Sequence, residues 1–193
     1  MLFHLRLPLY LASRSPRRKQ ILNMLDLNYK TIRGSKFDPA VPDDSPGRYV
    51  KQCAVLKAIT ASGRLKSGII LGCDTIVYAK ERILNKPGTA AQAERMIRML
   101  NGIVHTVYTG IAIYDVNKAI VYSAYDKSSV QFRDLSKKEI KNYIKTGDWK
   151  DKAGGYGIQA RGAFLIKSVT GCYYNVMGLP VNKLLVLLKP YIV

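Results

Sequence analysis

The chain has 193 residues, 48% hydrophobic and 23% charged, and Lys+Arg 31 against Asp+Glu 13 gives a net charge of +18. That length fits one ordinary domain with its own core, and no apolar run is long enough to span a bilayer. The charge favours polyanionic partners such as nucleotides, nucleic acid or acidic lipid, but it is spread along the chain without the basic block of a nucleic-acid arm.

Residues 1–10 lack the basic–apolar–small order of an export signal, so a soluble, cytoplasmic protein is expected. Cys53, Cys73 and Cys172 are odd in number, far apart and without a C-x-x-C. They read as reduced thiols acting as small hydrophobes.

In chain order, 7–12 reads as a buried strand. Ser15 and Pro16 then suit the N-cap and first turn of a helix over 17–25, with Ile21, Leu22 and Leu25 inward. A second strand and loop occupy 28–37. Ser45-Pro46 opens a helix running to about 62. Residues 69–78 form a strongly apolar strand interrupted at Cys73-Asp74-Thr75. Thr89 and Gln92 have capping-box spacing, followed by the stripe Ala93, Met96, Ile97, Leu100 and a stop at Gly102. Long strands over 104–114 and 119–132 flank a turn at 115–118. Ser136 and Glu139 form a second capping box, before a helix with Ile140, Tyr143 and Ile144 inward that ends at Gly147. A glycine-rich charged loop fills 148–162. A strand over 163–169 and a helix over 181–188 close the chain. This alternation predicts a mixed α/β fold with helices flanking a central sheet.

Several side chains in this layout suit phosphate chemistry. Residues 13–19 run from a strand into a helix N-terminus, where free N–H groups and the helix dipole attract anions. Arg17 and Arg18 in that first turn oppose the dipole unless an anion joins them. Glycines and a Gly-Lys-Ser/Thr ending are missing, so the segment is not a Walker A loop. Asp74 lies inside an apolar strand, where a carboxylate needs a cation, a hydrogen bond or a metal. Lys57 shares the inward sector of its helix with Tyr49, Cys53 and Ala54. Its ammonium either snorkels to solvent or reaches a phosphate. Lys86 sits on a tight turn, Asn85-Lys86-Pro87-Gly88. His105, alone in a strand, reads as a hydrogen-bonded polar residue. In the 149–162 loop, Gln159 has an amide able to read a base edge, and Trp149, Tyr156 and Ile158 predict order.

Taken together, L-A-S-R-S-P-R-R (11–18), Lys57, G-C-D-T-I-V (72–77), N-K-P (85–87), H-T-V-Y-T-G (105–110), D-K-A-G-G-Y-G-I-Q (151–159) and N-V-M-G-L-P (175–180) resemble the Maf family over nearly the whole chain. The resemblance implies one Maf-like domain over 1–193, in an elongated, two-lobed α/β architecture with a central cleft. It implies metal-dependent hydrolysis of a nucleoside triphosphate between the α- and β-phosphates, with Mg²⁺ or Mn²⁺. By the same resemblance Asp74 is the catalytic carboxylate and a metal ligand, joined by Asp38, which remains from the family's usual acidic pair. Ser13, Arg17, Arg18, Lys57, Thr75, Lys86 and Gln159 are the implied substrate contacts, with Arg18, Thr75 and Gln159 at positions tied to substrate choice. Thr75 with Gln159 resembles the branch acting on dTTP and UTP; the sister branch, acting on 7-methyl-GTP, carries Gln and Glu there. Modified pyrimidine nucleotides remain open as substrates. A homodimer is also left open, and no membrane or nucleic-acid partner is expected. The rival reading is a non-catalytic nucleotide or nucleic-acid binder, which the charge of +18 favours and the acidic Asp74 and Asp38 oppose.

Overall fold

The computed structural model describes residues 4–33, 45–63 and 65–193. Asp38 and its neighbours therefore lie outside the described residues. The strands are β1 (Leu9–Leu11), β2 (Tyr29–Thr31), β3 (Ile69–Ala79), β4 (Arg82–Leu84), β5 (Val104–Asp115), β6 (Ile120–Phe132) and β7 (Ile166–Thr170). The helices are α1 (Pro16–Met24), α2 (Pro46–Thr60), α3 (Ala90–Leu100), α4 (Lys137–Lys145), α5 (Tyr173–Met177) and α6 (Val181–Leu188). One mixed sheet runs β2-β1-β3-β5-β6-β7, with β4 also on β3. This is the expected mixed sheet flanked by helices. Among the described residues no helix is long and apolar enough to cross a membrane.

The sheet hangs on β3, which is the most apolar strand because both its faces are covered. Helix α2 lies on one face, with Ala54 and Ala58 beside Ile70 and Ala112, and Val50 and Cys53 beside Ile76. The approach is close enough to require glycine. A Cβ on Gly72 would meet the Ala54 carbonyl at 2.1 Å, and one on Gly110 the Val50 carbonyl at the same distance. The opposite face carries two separate cores. Leu9, Leu11, Ile69, Leu71 and Ile111 pack with α1 and α6. Val77, Val107, Val130 and Phe132 pack with α3 and α4.

The pairing of β3 creates the opening that matters. Strand β5 follows one edge of β3 from Ile69 to Tyr78. On the other edge, β1 pairs only Ile69–Leu71, in parallel, and β4 pairs only Val77–Ala79, antiparallel. Between them, over residues 72–76, that edge has no strand partner among the described residues. Period-two alternation then sends Asp74 to the α2 face and Thr75 to the other.

Local chemistry explains most boundaries and corrects several expectations. Strand β3 runs unbroken through Cys73-Asp74-Thr75, because β5 pairs it continuously. The Ser45 hydroxyl caps α2 by accepting from the Arg48 N–H at 3.3 Å. The Ser136–Glu139 capping box is complete. The one at Thr89 is half formed: Thr89 accepts from the Gln92 N–H, but the Gln92 amide oxygen accepts from Gly88 N–H instead. Ser15 stands at the N-cap of α1 without a side-chain cap bond. The strand expected over 163–169 begins only at Ile166, since Ala160–Leu165 forms 3₁₀ turns after Ala160 takes φ 52°. All three cysteines are free, and burial pushes the Cys73 thiol up to about 11, which makes it unreactive.

Candidate active site

The gap in the β3 edge opens into a cleft of about 760 Å³. Its floor is β3 itself. The end of β1 and the start of α1 form one side, and residues 150–158 with the end of α5 form the other. Ser13, Arg17, Arg18, Lys57, Asp74, Thr75 and Lys86, seven of the sequence-derived candidates, line this one space. Gln159 is not on the lining. Its amide donates to Gln20 of α1 at 3.3 Å, beside the cleft.

The α2 side of the gap is charged. Lys57, in the last turn of α2, donates to Asp74 Oδ1 at 2.5 Å, and both side chains are mostly buried at 17% and 16% exposure. The second Asp74 oxygen makes no hydrogen bond among the described residues. Lys86 lies near enough to this pair to feel both charges, while Arg17 and Lys152 gather with Asp151 on the same cleft. Burial, reinforced by Arg18, pulls Arg17 below the ordinary guanidinium range. Partial burial and then Arg18 do the same to the Lys86 ammonium, and partial burial followed by Arg17 to Lys152. Burial first and a neighbouring cation second raise the energy of these positive charges, and a bound polyanion would lower it.

The opposite side is a hydrogen-bonded network. Arg18 forms its boundary, with its guanidinium held by three acceptors: the Gly178 carbonyl at 2.8 Å, Ser13 Oγ at 2.9 Å and Thr75 Oγ1 at 3.0 Å. Behind Thr75 lie Thr109, at 3.0 Å, and Asn175, both fully buried. Deeper still, His105 Nε2 meets the Tyr156 hydroxyl at 2.6 Å. Burial drives the His105 pKa down to about 4, so the ring is neutral at physiological pH, as a hydrogen-bonded structural histidine should be. Trp149, Tyr156 and Ile158 are buried as well, so the glycine-rich loop is ordered.

Sequence reasoning gave no role to Thr109 or Asn175, and read Lys152 only as one of several polar groups of the glycine-rich loop. The signal for Thr109 was available: alternation in β5 places it on the inward face with Val107 and Ile111, where a hydroxyl needs a partner. Asn175 lies in a five-residue helix that carries no periodicity.

Carboxylates on the cleft lining, among the described residues, are Asp74 and Asp151, and no group of three His, Cys, Asp or Glu assembles there. That set does not suit a structural zinc, which takes four protein ligands. It does suit a hard divalent cation, which binds through one or two carboxylates and completes its shell with substrate phosphates and water.

A family model for Maf-like proteins matches residues 8–191. The chain is 42% identical to the dTTP/UTP pyrophosphatase of Clostridium tetani over 93% of its own length and 95% of that protein's. It is 38% identical to the enzyme of the same name from Pelotomaculum thermopropionicum, over 94% and 95%. It is 40% identical to that from a Thermoanaerobacter species, over 93% and 94%. On the match of the family model and the near full-length identity to these relatives, the chain belongs to the Maf-like protein family.

Proposed function

We propose that this protein is a nucleoside triphosphate pyrophosphatase that converts dTTP and UTP, and modified pyrimidine nucleotides of the same edge chemistry, to the monophosphate and pyrophosphate. The observation that carries the reading is the cluster of cations Arg17, Arg18, Lys86 and Lys152 gathered with the mostly buried carboxylate of Asp74 in a nucleotide-sized cleft. A surface that only bound phosphate would gain nothing from Asp74, whereas a hydrolase needs it. The names of the relatives support the same substrates.

In this reading the phosphates enter among Arg17, Lys57, Lys86 and Lys152, and the N-terminus of α1 adds its unpaired N–H groups. Mg²⁺ or Mn²⁺ bound at Asp74, with Asp38 as a second ligand, would supply further neutralisation of the α-phosphate. Lys57 fixes the Asp74 carboxylate through Oδ1 and leaves the other oxygen to take a proton from water. The water oxygen bonds to the α-phosphorus, and the bond to the bridging oxygen breaks. Its electron pair leaves with the pyrophosphate, whose negative charge the lysines and arginines hold. The natural setting is the nucleotide pool of the cytoplasm.

The test is pyrophosphate release from dTTP, UTP, CTP and 7-methyl-GTP with Mg²⁺ or Mn²⁺ and with chelator. Metal-dependent turnover of dTTP and UTP is expected. Turnover of 7-methyl-GTP alone would move the protein to the sister branch. No turnover, together with salt-sensitive nucleic-acid binding that persists in chelator, would replace the enzyme by a binding protein.

A further inference from the structure

The directions of the hydrogen bonds behind Thr75 fix where its proton lies. A threonine hydroxyl has one proton and two lone pairs. The backbone carbonyl of Asn175 can only accept, so Thr109 gives its one proton there, at 2.8 Å. The 3.0 Å contact between the two threonine hydroxyls must then be donated by Thr75. Thr75 in turn accepts from Arg18 Nη2. With its proton committed inward and one lone pair taken, Thr75 offers the cleft a single lone pair and nothing to donate.

We propose that Thr109 and Asn175 are positioning residues: by fixing the direction of the Thr75 proton they make Thr75, at a position the family resemblance already ties to substrate choice, an obligate acceptor that selects the N3–H of uracil and thymine and rejects cytosine. The inference rests on the pyrimidine triphosphate reading above. Cytosine fails because its N3 is itself an acceptor, so two lone pairs would face each other. Arg18 strengthens the contrast. A guanidinium has five N–H groups, and three are engaged, by Gly178, Ser13 and Thr75. The remaining two place a donor beside the Thr75 acceptor. That pair complements a carbonyl next to an N3–H, as uracil and thymine present, and opposes the amine next to bare N3 of cytosine. Mismatched polar edges of this kind discriminate far better than a missing methyl group does. The flat apolar surfaces a base needs lie on the same side, at Val77, Val107, Ile158, Val176 and Met177.

The order is built to persist. Thr109 and Asn175 are both at 0% exposure, so water does not exchange into the chain of bonds. The Asn175 side chain donates to the Val107 carbonyl and to Ser128 Oγ, each at 3.0 Å, and Ser128 passes its own proton to the Cys172 carbonyl. These bonds pin α5 to β5 and β6 and hold the Asn175 carbonyl where Thr109 needs it.

The test compares kcat/KM for UTP and CTP in wild type, Thr109→Val and Thr109→Ser, with 3-methyl-UTP as a third substrate for the wild type. Thr109→Val frees the Thr75 proton, which can then turn to the cleft and serve cytosine N3. The UTP-to-CTP ratio is expected to fall by on the order of tenfold or more, through a gain on CTP. Thr109→Ser keeps the hydroxyl and is expected to keep the ratio. The wild type is expected to discriminate against 3-methyl-UTP, which has no N3–H, and this arm stands even if Thr109→Val fails to fold. A Thr109→Val enzyme that loses UTP and CTP turnover in equal proportion overturns the inference, as does a wild type that uses CTP or 3-methyl-UTP as well as UTP; both results leave the pyrophosphatase reading intact. A wild type inactive on every pyrimidine triphosphate removes that reading and the inference with it.

Discussion

Asp74 and Thr75 are neighbours in sequence, yet they face opposite sides of one strand and two different surroundings. Asp74 meets the ammonium of Lys57 at 2.5 Å, with the Lys86 charge nearby. The groups behind Thr75, namely Thr109, Asn175 and Ser128, are neutral, buried and joined by directed hydrogen bonds. A charged surface attracts and stabilises without fine geometry, because Coulomb forces are long-ranged. A neutral network discriminates, because a donor cannot stand in for an acceptor. Putting the two on either side of one strand lets reaction and recognition meet at adjacent residues, with Arg18 belonging to both.

The largest effect expected on the charged side comes from Asp74→Asn, which keeps the shape and removes the proton acceptor. Turnover should drop by roughly 10²- to 10⁴-fold, and the melting temperature should fall because the mostly buried Lys57 loses its counter-charge; a folded variant with more than a tenth of wild-type activity would remove Asp74 from the chemistry. The neutral side is probed by pH. His105 is lowered from 6.5 to about 4 in the fold, so the unfolded chain binds the extra proton first as pH falls. Its contribution is complete above pH 6.5 and is lost as pH drops toward 4, by about 3 kcal/mol in all. Urea titrations across that window should show this slope in the wild type and a flatter one in His105→Gln.

Gly72→Ala tests whether the two sides are mechanically independent. The new Cβ collides with the Ala54 carbonyl and pushes α2, carrying Lys57, off the sheet. A loss of about 2 kcal/mol of stability is expected, with kcat falling more than the UTP-to-CTP preference. A change in preference as large as the change in kcat would show that the two sides are coupled. The smallest effect belongs to Lys86→Met, which removes one of several cations. KM should rise by about tenfold, the value of one charge-assisted hydrogen bond, and depend less on salt. The free protein should be slightly more stable, because one member of a repelling cluster has gone. Unchanged KM would place Lys86 outside the phosphate path.

Much of this was readable from residue order. An aspartate inside an apolar strand and two arginines in a first helical turn each announce a missing partner, and the structure gathers them in one cleft. Lys57 was ambiguous between snorkelling and reaching inward, because helical spacing fixes its sector but not its neighbour. Strand β4 was hidden because its turn uses Lys80 and Glu81 at φ 47° and 58°, where the usual signal is Asn-Gly. The last 3₁₀ residues, 163–165, were read as strand, since an apolar run looks the same in both until pairing selects one. The neutral network escaped entirely: Thr109, Ser128 and Asn175 come from three elements, and only the sheet register brings them together.

An unpaired strand edge is ordinarily a hazard, because it invites a strand from another chain to add on and begin aggregation. The interruption in β3 is bounded at both ends, by β1 at Leu71 and by β4 at Val77. Among the described residues it leaves roughly 14 Å of edge without a strand partner over residues 72–76. A second polypeptide would have to thread between two strands already in place, whereas a nucleotide is short enough to drop in. The same bracketing that exposes Asp74 and Thr75 to a small molecule thus denies this stretch of edge to a strand from another protein.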